Sequence, residues 1–236
     1  MLTTRRKPIL IFDWDGVIVD SNDWKWDEMW REIFPTNGLS VIARNILKTK
    51  EGRSLTRYEL IRRILLEDGL TELATYDERS AVAHPSVAEA LLRFQGVSLR
   101  GVLKRGLFKG ARDVLNDLKT RGYSLYVITG TAHDDIMHLA LELNVADLFK
   151  GIYGIVVSEQ TGGAINKKSA FQKIILAEQT SDPDSYIVVG DGESDRALAE
   201  NVGCRFVGVV NRWNGWEDAS FPLIRDLTEL TKILDS

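Results

Sequence analysis

The stretch Lys7-Pro8-Ile9-Leu10-Ile11-Phe12-Asp13-Trp14-Asp15-Gly16-Val17 decides the fold. Its apolar run from Ile9 to Phe12 is typical of a strand in a parallel sheet, where both faces are covered. The run ends in Asp13 and Asp15, two carboxylates one residue apart. Like charges held this close raise the pKa of one group strongly unless a cation lies between them. An ordinary Asp-Gly turn after a strand explains the stretch equally well in isolation, so the rest of the chain must decide.

The composition is that of a globular protein. A chain of 236 residues with 44% hydrophobic and 27% charged residues can form one large domain or two smaller ones. The formal net charge of −4 gives no reason to expect a nucleic-acid partner. With Cys204 as the only cysteine, and three histidines, the chain has no intramolecular disulfide and no Cys/His metal cluster.

The sequence predicts a cytoplasmic protein without a membrane partner. No stretch approaches the ~18 apolar residues of a membrane span. The apolar run after Arg5-Arg6 is interrupted at Asp13, which is too early for the apolar segment of a signal peptide. The sequence leaves open whether the protein is a monomer or a dimer.

The hydrophobic pattern divides the chain in two. Residues 21–106 show helical spacing and no convincing strand, and their helices are expected to include 71–83 and 85–94. Beyond Lys109, strands and helices alternate, which predicts βαβ units and a parallel sheet. The strands of this second part are expected at 123–128, 152–157, 186–189, 205–210 and 222–224. We therefore predict an α/β protein in which 1–20 and 107–236 form the core and 21–106 form an all-helical insertion.

Polar residues collect just beyond these strands. In a parallel sheet the carboxyl ends of the strands share one edge, where ligands bind. The residues expected at this edge are Asp13, Asp15, Thr129, Asp191 and Asp195. Lys167 or Lys168, at the start of a helix, can join them. Clustered carboxylates suit Mg²⁺, whereas a hydroxyl, a lysine and free N–H groups suit phosphate, so the set suggests phosphoryl transfer.

Simpler interpretations exist for the individual residues at this edge. Asp191-Gly192 is also compatible with an ordinary turn, and Asp195 with a helix cap. Thr129 alone would be only a strand-end residue. The phosphoryl-transfer hypothesis therefore depends on the whole set rather than on any one member.

Four segments in chain order resemble the motifs of a known family. They are Asp13-Trp14-Asp15-Gly16-Val17, Val127-Ile128-Thr129-Gly130, Lys167 before an amphipathic helix, and Gly190-Asp191-Gly192-Glu193-Ser194-Asp195. Together they resemble the motifs of the haloacid dehalogenase superfamily of phosphatases. Residues 21–106 resemble that family's helical C1 cap. The resemblance implies a Rossmann-like parallel-sheet core carrying an inserted helical cap that selects the substrate.

The resemblance also implies roles for the matched acids. Asp13 would be the nucleophile, since a carboxylate is already ionised at neutral pH. Asp15 would act as acid toward the leaving alcohol and then as base toward water. Mg²⁺ would be held by the Asp13 side chain, the Asp15 backbone carbonyl and Asp191, with Asp195 orienting the outer shell.

Three further residues would bind the phosphoryl group. By the resemblance, Thr129, the backbone N–H of Gly130, and Lys167 would contact its oxygens. Lys167 is preferred to Lys168 because Phe171 follows it four residues later, as in the family's motif. Losing one such contact typically costs on the order of 10²–10³ in rate.

The expected substrate is a small phosphorylated metabolite of the phosphoglycolate or sugar-phosphate type. In the cap, Trp24, Arg53 and Arg57 are possible substrate contacts, although a core tryptophan and solvated arginines are the simpler interpretation. Asp15 argues against dehalogenation. Lys25 stands where β-phosphoglucomutase-like proteins carry a histidine, which weakens a mutase assignment. A β-phosphoglucomutase-type phosphomutase and a non-catalytic binding protein on this fold stay as alternatives, although the latter predicts missing acids and none is missing.

Overall fold

The protein consists of two compact units. A computed structural model describes residues 7–35, 37–155, 167–217 and 219–235. The core unit comprises the chain up to Asp20 and from Arg105 onward, and the helical unit comprises Ser21–Lys104. Among the described residues, no helix combines the length and the apolar character that crossing a bilayer requires.

The helical unit has its own apolar core. Its described residues form seven α-helices and no strand: α1 Asn22–Asp27, α2 Met29–Ile33, α3 Asn37–Leu47, α4 Lys50–Ser54, α5 Arg57–Glu67, α6 Glu78–Ala81 and α7 Pro85–Arg105, whose last residue belongs to the core unit. The ring of Trp30 stacks on Phe34 and lies 5.7 Å from that of Phe94. α5 begins with a reciprocal capping box between Thr56 and Glu59.

Two of the helices predicted in this unit are wrong in extent. The helix expected over 71–83 is a 3₁₀ turn, Thr71–Thr75, followed by the short α6. The helix expected to end at Phe94 continues to Arg105, through Gly96 and Gly101. A Cβ on Gly101 would lie 2.0 Å from the indole of Trp24. Burial of that indole against α7 therefore outweighs the low helix propensity of glycine.

The core unit is built on a six-stranded, all-parallel sheet. Its strands are β1 Ile9–Phe12, β2 Ser124–Ala132, β3 Gly151–Ile155, β4 Tyr186–Gly190, β5 Arg205–Val209 and β6 Leu223–Ile224. Their order is β3-β2-β1-β4-β5-β6, which places β1 in the interior between β2 and β4. The α/β fold with a parallel sheet is therefore confirmed.

Both faces of β1 are buried, as its apolar sequence requires. Ile9 and Ile11 belong to an apolar cluster that includes Phe171 and Leu198 from the helices on one face. Leu10 and Phe12 alternate with them along the strand and are fully buried as well. The helices of the core unit are α8 Ala111–Thr120, α9 His133–Glu142, α10 Lys167–Glu178, α11 Glu193–Val202 and α12 Leu230–Leu234.

β2 extends beyond its predicted end. The strand expected to stop at 128 runs to Ala132, so Thr129 and Gly130 lie within β2 rather than beyond it. Its pairing with β3 shifts register between Ile128 and Ala132. Such irregularities change the direction of side chains and accumulate near functional sites. β3 ends at Ile155, and residues 156–157 of the predicted strand lie outside the described residues.

A tight turn follows β1. The carbonyl of Trp14 accepts hydrogen bonds from the N–H groups of Ile18 and Val19, and Gly16 adopts φ +74°. The segments that lead into and out of the helical unit then pair within the core unit. Val19 forms an antiparallel bridge with Leu107, and the N–H of Asp20 donates to the carbonyl of Gly106.

We expect Gly101→Ala to destabilise the helical unit by about 2 kcal/mol or more, because the added Cβ must displace a buried indole. Gly96→Ala on the same helix is the matched control. Its Cβ would meet only the mobile end of Arg100 at 3.3 Å. The control is expected to be neutral or to add up to about 1 kcal/mol of stability through helix propensity.

Urea unfolding, followed by tryptophan fluorescence and circular dichroism, measures both variants. Equal unfolding midpoints for the two variants would contradict the assignment of Gly101 as a packing glycine.

Candidate active site

Three carboxylates meet at the carboxyl edge of the sheet. Asp13 follows β1, Asp191 follows the neighbouring β4, and the N–H of Asp13 donates to the carbonyl of Val189 at 2.9 Å. Asp195 joins them from the first turn of α11. Carboxylate oxygens of Asp13, Asp191 and Asp195 lie within 4.8 Å of one another. The order of the strands therefore brings together acids that are far apart in the sequence.

Lys167 lies among these acids. Its ammonium nitrogen is 2.5 Å from Oδ1 of Asp195 and 3.5 Å from Oδ2 of Asp13. Burial by itself lowers the pKa of the Lys167 ammonium, but Asp13 and Asp195 more than offset this and raise the pKa. The lysine is therefore held as a cation. Lys168, the alternative considered from the sequence, is exposed.

The acids outnumber this one cation. Burial, followed by repulsion from Asp195, raises the pKa of Asp13 to about 7, although Lys167 opposes the shift. Burial and repulsion from Asp13 also raise the pKa of Asp191 well above its usual value. Moreover, Oδ1 of Asp13 is buried and has no hydrogen-bond partner among the described residues. A divalent cation would supply both the missing positive charge and the missing partner, so the residues fit Mg²⁺.

The three acids are not equally available to a cation. Oδ1 of Asp195 accepts from Lys167, and Oδ2 accepts from the N–H of Gly192 at 3.1 Å. This supports direct ligation by Asp13 and Asp191, with Asp195 orienting their surroundings. Gly190 allows the arrangement, because a Cβ there would lie 2.3 Å from the Cβ of Asp195. The predicted contribution of Asp15 through its backbone carbonyl stays a prediction.

The predicted phosphate-binding segment lies in the bulged part of β2. Thr129 is buried, and its Oγ1 accepts a hydrogen bond from the N–H of Thr131 at 3.2 Å. Within the described residues, no atom beyond the chain neighbours of Gly130 lies within 4 Å of the place where its Cβ would be. The side chain of Thr131 donates to Oδ2 of Asp15 at 3.2 Å. The residue that follows the second motif by one position therefore contacts the first motif.

The three candidate contacts in the helical unit all have partners within that unit. Trp24 is buried and donates from Nε1 to Glu32 at 3.3 Å. Arg53 donates to the carbonyls of Leu47 and Lys48, which belong to the C-terminal end of α3 and the residue after it. The guanidinium of Arg57 lies 5.0 Å from the ring centroid of Tyr58. These contacts give each residue a structural role, and their roles in substrate binding stay predictions.

Two asparagines at the site were not predicted from the sequence. Nδ2 of Asn211 donates to Oδ2 of Asp191 at 2.7 Å. Nδ2 of Asn214 donates to the backbone carbonyls of Asp191 and Val209. Oδ1 of Asn211 accepts from the N–H groups of Trp213 and Asn214, which fixes the orientation of its amide. The available signal was position, since Asn211 follows β5 much as Asp191 follows β4.

Comparisons with known proteins agree with this architecture. The family model for haloacid dehalogenase-like hydrolases matches residues 8–203. The comparison with curated proteins gives no match. Among solved structures, the HAD-hydrolase YfnB from Bacillus subtilis, in a structure bound to magnesium, is similar with a TM-score of 0.66 and 20% identity over 98% of this chain and 100% of its own.

Two further solved structures have a similar fold. A predicted phosphoglycolate phosphatase from Haemophilus somnus has a TM-score of 0.66 and 14% identity over 98% of this chain and 99% of its own. The β-phosphoglucomutase from Clostridium difficile has a TM-score of 0.67 and 16% identity over 98% of this chain and 96% of its own. At these identities the likeness shows the fold alone.

We expect Asn211→Ala to weaken Mg²⁺ binding by about 10–100-fold, because partners that orient a ligating carboxylate are worth that much. Isothermal titration calorimetry with Mg²⁺ measures the affinity directly, without a substrate. Asn116→Ala, at an exposed position on α8, is the matched control and should bind Mg²⁺ as the wild type does. Wild-type affinity in Asn211→Ala would contradict the orienting role.

Proposed function

The chain belongs to the haloacid dehalogenase-like hydrolase family, and we propose that it is a Mg²⁺-dependent phosphatase acting on a small phosphorylated metabolite. The family prediction made from the four motifs is thereby confirmed. One observation carries the proposal. Asp13 is a partly buried carboxylate whose Oδ1 is buried and has no hydrogen-bond partner among the described residues, and it lies beside Lys167 and Asp191. An anionic nucleophile beside cation-binding groups is what attack on a phosphate ester requires.

In the proposed first step, a carboxylate oxygen of Asp13 forms a bond to phosphorus. The bond between phosphorus and the leaving oxygen breaks, and Asp15 donates a proton to that oxygen. Mg²⁺, when bound to Asp13 and Asp191, would supply the positive charge that lets a phosphate dianion approach Asp13. The products of this step are the free alcohol and an aspartyl-phosphate.

In the proposed second step, water attacks the same phosphorus. Asp15, now ionised, accepts a proton from the water, and the bond between phosphorus and the Asp13 oxygen breaks. Inorganic phosphate leaves and both carboxylates return to their starting states. One residue can serve in both steps because the proton that it gives up in the first is regained in the second.

The hydrogen bonds of β2 support a phosphate-binding role for Thr129. Since Oγ1 of Thr129 accepts from the N–H of Thr131, its own hydrogen is left to donate to another acceptor. Gly130 is exposed, and no described atom beyond its chain neighbours lies near the place of its Cβ, so a phosphoryl oxygen can approach this part of the backbone. Together with the Lys167 ammonium, these groups would stabilise charge developing on the phosphoryl oxygens.

We further propose that the helical unit selects the substrate, with Arg57 as the first of the three candidates to test. Trp24 is buried, and the contacts of Arg53 are with backbone carbonyls. Arg57 is partly exposed and its guanidinium rests on an aromatic face. A guanidinium is also the group whose geometry suits recognition of a carboxylate or phosphate.

The decisive assay measures phosphate released from p-nitrophenyl phosphate with Mg²⁺ and with EDTA. We expect activity only with the metal, and Asp13→Asn to lose on the order of 10⁴-fold or more, because it removes the nucleophile. Asp184→Asn, at an exposed position before β4, is the matched control and should keep wild-type activity. Equal, metal-independent rates in wild type and Asp13→Asn would refute the mechanism.

Product analysis separates the phosphatase from the alternative phosphomutase. A screen of phosphorylated metabolites, followed for both free phosphate and isomerised sugar phosphate, should show free phosphate as the main product. An isomerised sugar phosphate with little free phosphate would favour the mutase. A protein that binds but does not turn over any substrate would favour a non-catalytic role, against which the complete acid set argues.

A further inference from the structure

We propose that Thr131 is a positioning residue that holds the Asp15 carboxylate in place to protonate the leaving group. The inference rests on the proposed function, in which Asp15 is the general acid. The observation that carries it is the hydrogen bond from Oγ1 of Thr131 to Oδ2 of Asp15, at 3.2 Å. Thr131 lies outside the four sequence motifs that pointed to the site.

The backbone around Thr131 has little freedom to move. It lies where the pairing of β2 with β3 shifts register, between Ile128 and Ala132. Its carbonyl oxygen packs directly on β3, since a Cβ on Gly154 would lie 2.5 Å from it and 2.7 Å from the backbone of His133. Only a glycine at 154 allows this approach. The hydroxyl of Thr131 is therefore presented from a rigid position.

Thr131 also links two groups that the proposed reaction uses together. Its N–H donates to Oγ1 of Thr129, and its hydroxyl donates to Asp15. Thr129 would contact a phosphoryl oxygen, and Asp15 would protonate the leaving oxygen on the same phosphorus. A single residue bonded to both sets the distance between the phosphate-binding group and the acid. General acids depend on such placement, because the proton donor must lie within hydrogen-bond reach of the leaving oxygen.

The simpler alternative is that Thr131 only satisfies its hydroxyl with the nearest acceptor and stabilises the turn. The two explanations differ in how the effect of removing the hydroxyl on the rate depends on the substrate. A purely structural residue affects all phosphate esters alike. A residue that positions the acid matters for esters whose leaving group needs a proton, and matters little for those whose leaving group departs as a stable anion.

The test compares kcat/KM for two esters with wild type and Thr131→Val. p-Nitrophenyl phosphate releases a stable phenolate. 2-Glycerophosphate would have to release a strongly basic alkoxide unless the leaving oxygen is protonated as the bond breaks. The ratio kcat/KM reports only the steps up to formation of the aspartyl-phosphate and loss of the alcohol. Activation of water by Asp15 in the second step therefore does not enter the comparison.

We expect Thr131→Val to lower kcat/KM for 2-glycerophosphate by about 10–100-fold, a part of the 10²–10⁴ that general acid catalysis contributes. For p-nitrophenyl phosphate the loss should stay below about threefold. Thr131→Ser keeps the hydroxyl and should therefore retain most of the wild-type kcat/KM for 2-glycerophosphate. Asp15→Asn should show the same dependence on the leaving group, to a greater degree.

Two controls separate positioning from folding. Thr120→Val, at an exposed position at the end of α8, should leave both substrates unaffected. Circular dichroism and Mg²⁺ titration report whether each variant is folded with its metal site intact. If Thr131→Val does not fold, Thr131→Ala replaces it, since this variant removes the hydroxyl without adding bulk to the strand.

The outcomes are distinguishable. Equal losses on both esters, or no loss on either, in a folded variant would overturn the positioning role while leaving the proposed phosphatase intact. A wild-type protein that releases no phosphate from either ester would overturn the proposed function itself.

Discussion

The site depends on compensating several negative charges in one buried place. Asp13, Asp191 and Asp195 bring their carboxylates within 4.8 Å of one another, and Lys167 supplies only one positive charge. Burial and mutual repulsion raise the pKa values of Asp13 and Asp191. The negative charges of these acids are therefore not fully compensated without a further cation. In the proposed function, a divalent metal would supply the positive charge that this cluster lacks.

The surrounding fold maintains this unfavourable arrangement. An interior β1 with β2 and β4 on either side delivers each functional segment to the same edge. Gly190 leaves room for Asp195, and Gly154 leaves room for the backbone of Thr131. Asn211 orients the carboxylate of Asp191. The glycines and the amide are not reactive, yet they determine where the reactive groups lie.

The positions of charged residues just beyond strands were easier to predict from the sequence than features that depend on packing. Asp13 and Asp191 lie directly after β1 and β4, as the sequence predicted, and the predicted fold and family are confirmed. The true end of α7 did not follow, because the helix continues beyond Phe94 through Gly96 and Gly101, and a glycine inside a helix looks the same in sequence as one that ends it. The extension of β2 was also missed, because the register shift near its end depends on the partner strand.

The sequence by itself determined the alternation of strands and helices, the helical insertion, and the set of acids beyond the strands, because these depend on local periodicity and residue type. Only the tertiary structure decided which groups touch. The bond from Thr131 to Asp15 joins residues that are 116 positions apart, and the bond from Asn211 to Asp191 joins residues that are 20 positions apart. Such contacts depend on strand order and register, which are set by packing across the whole sheet and leave no local trace in the chain.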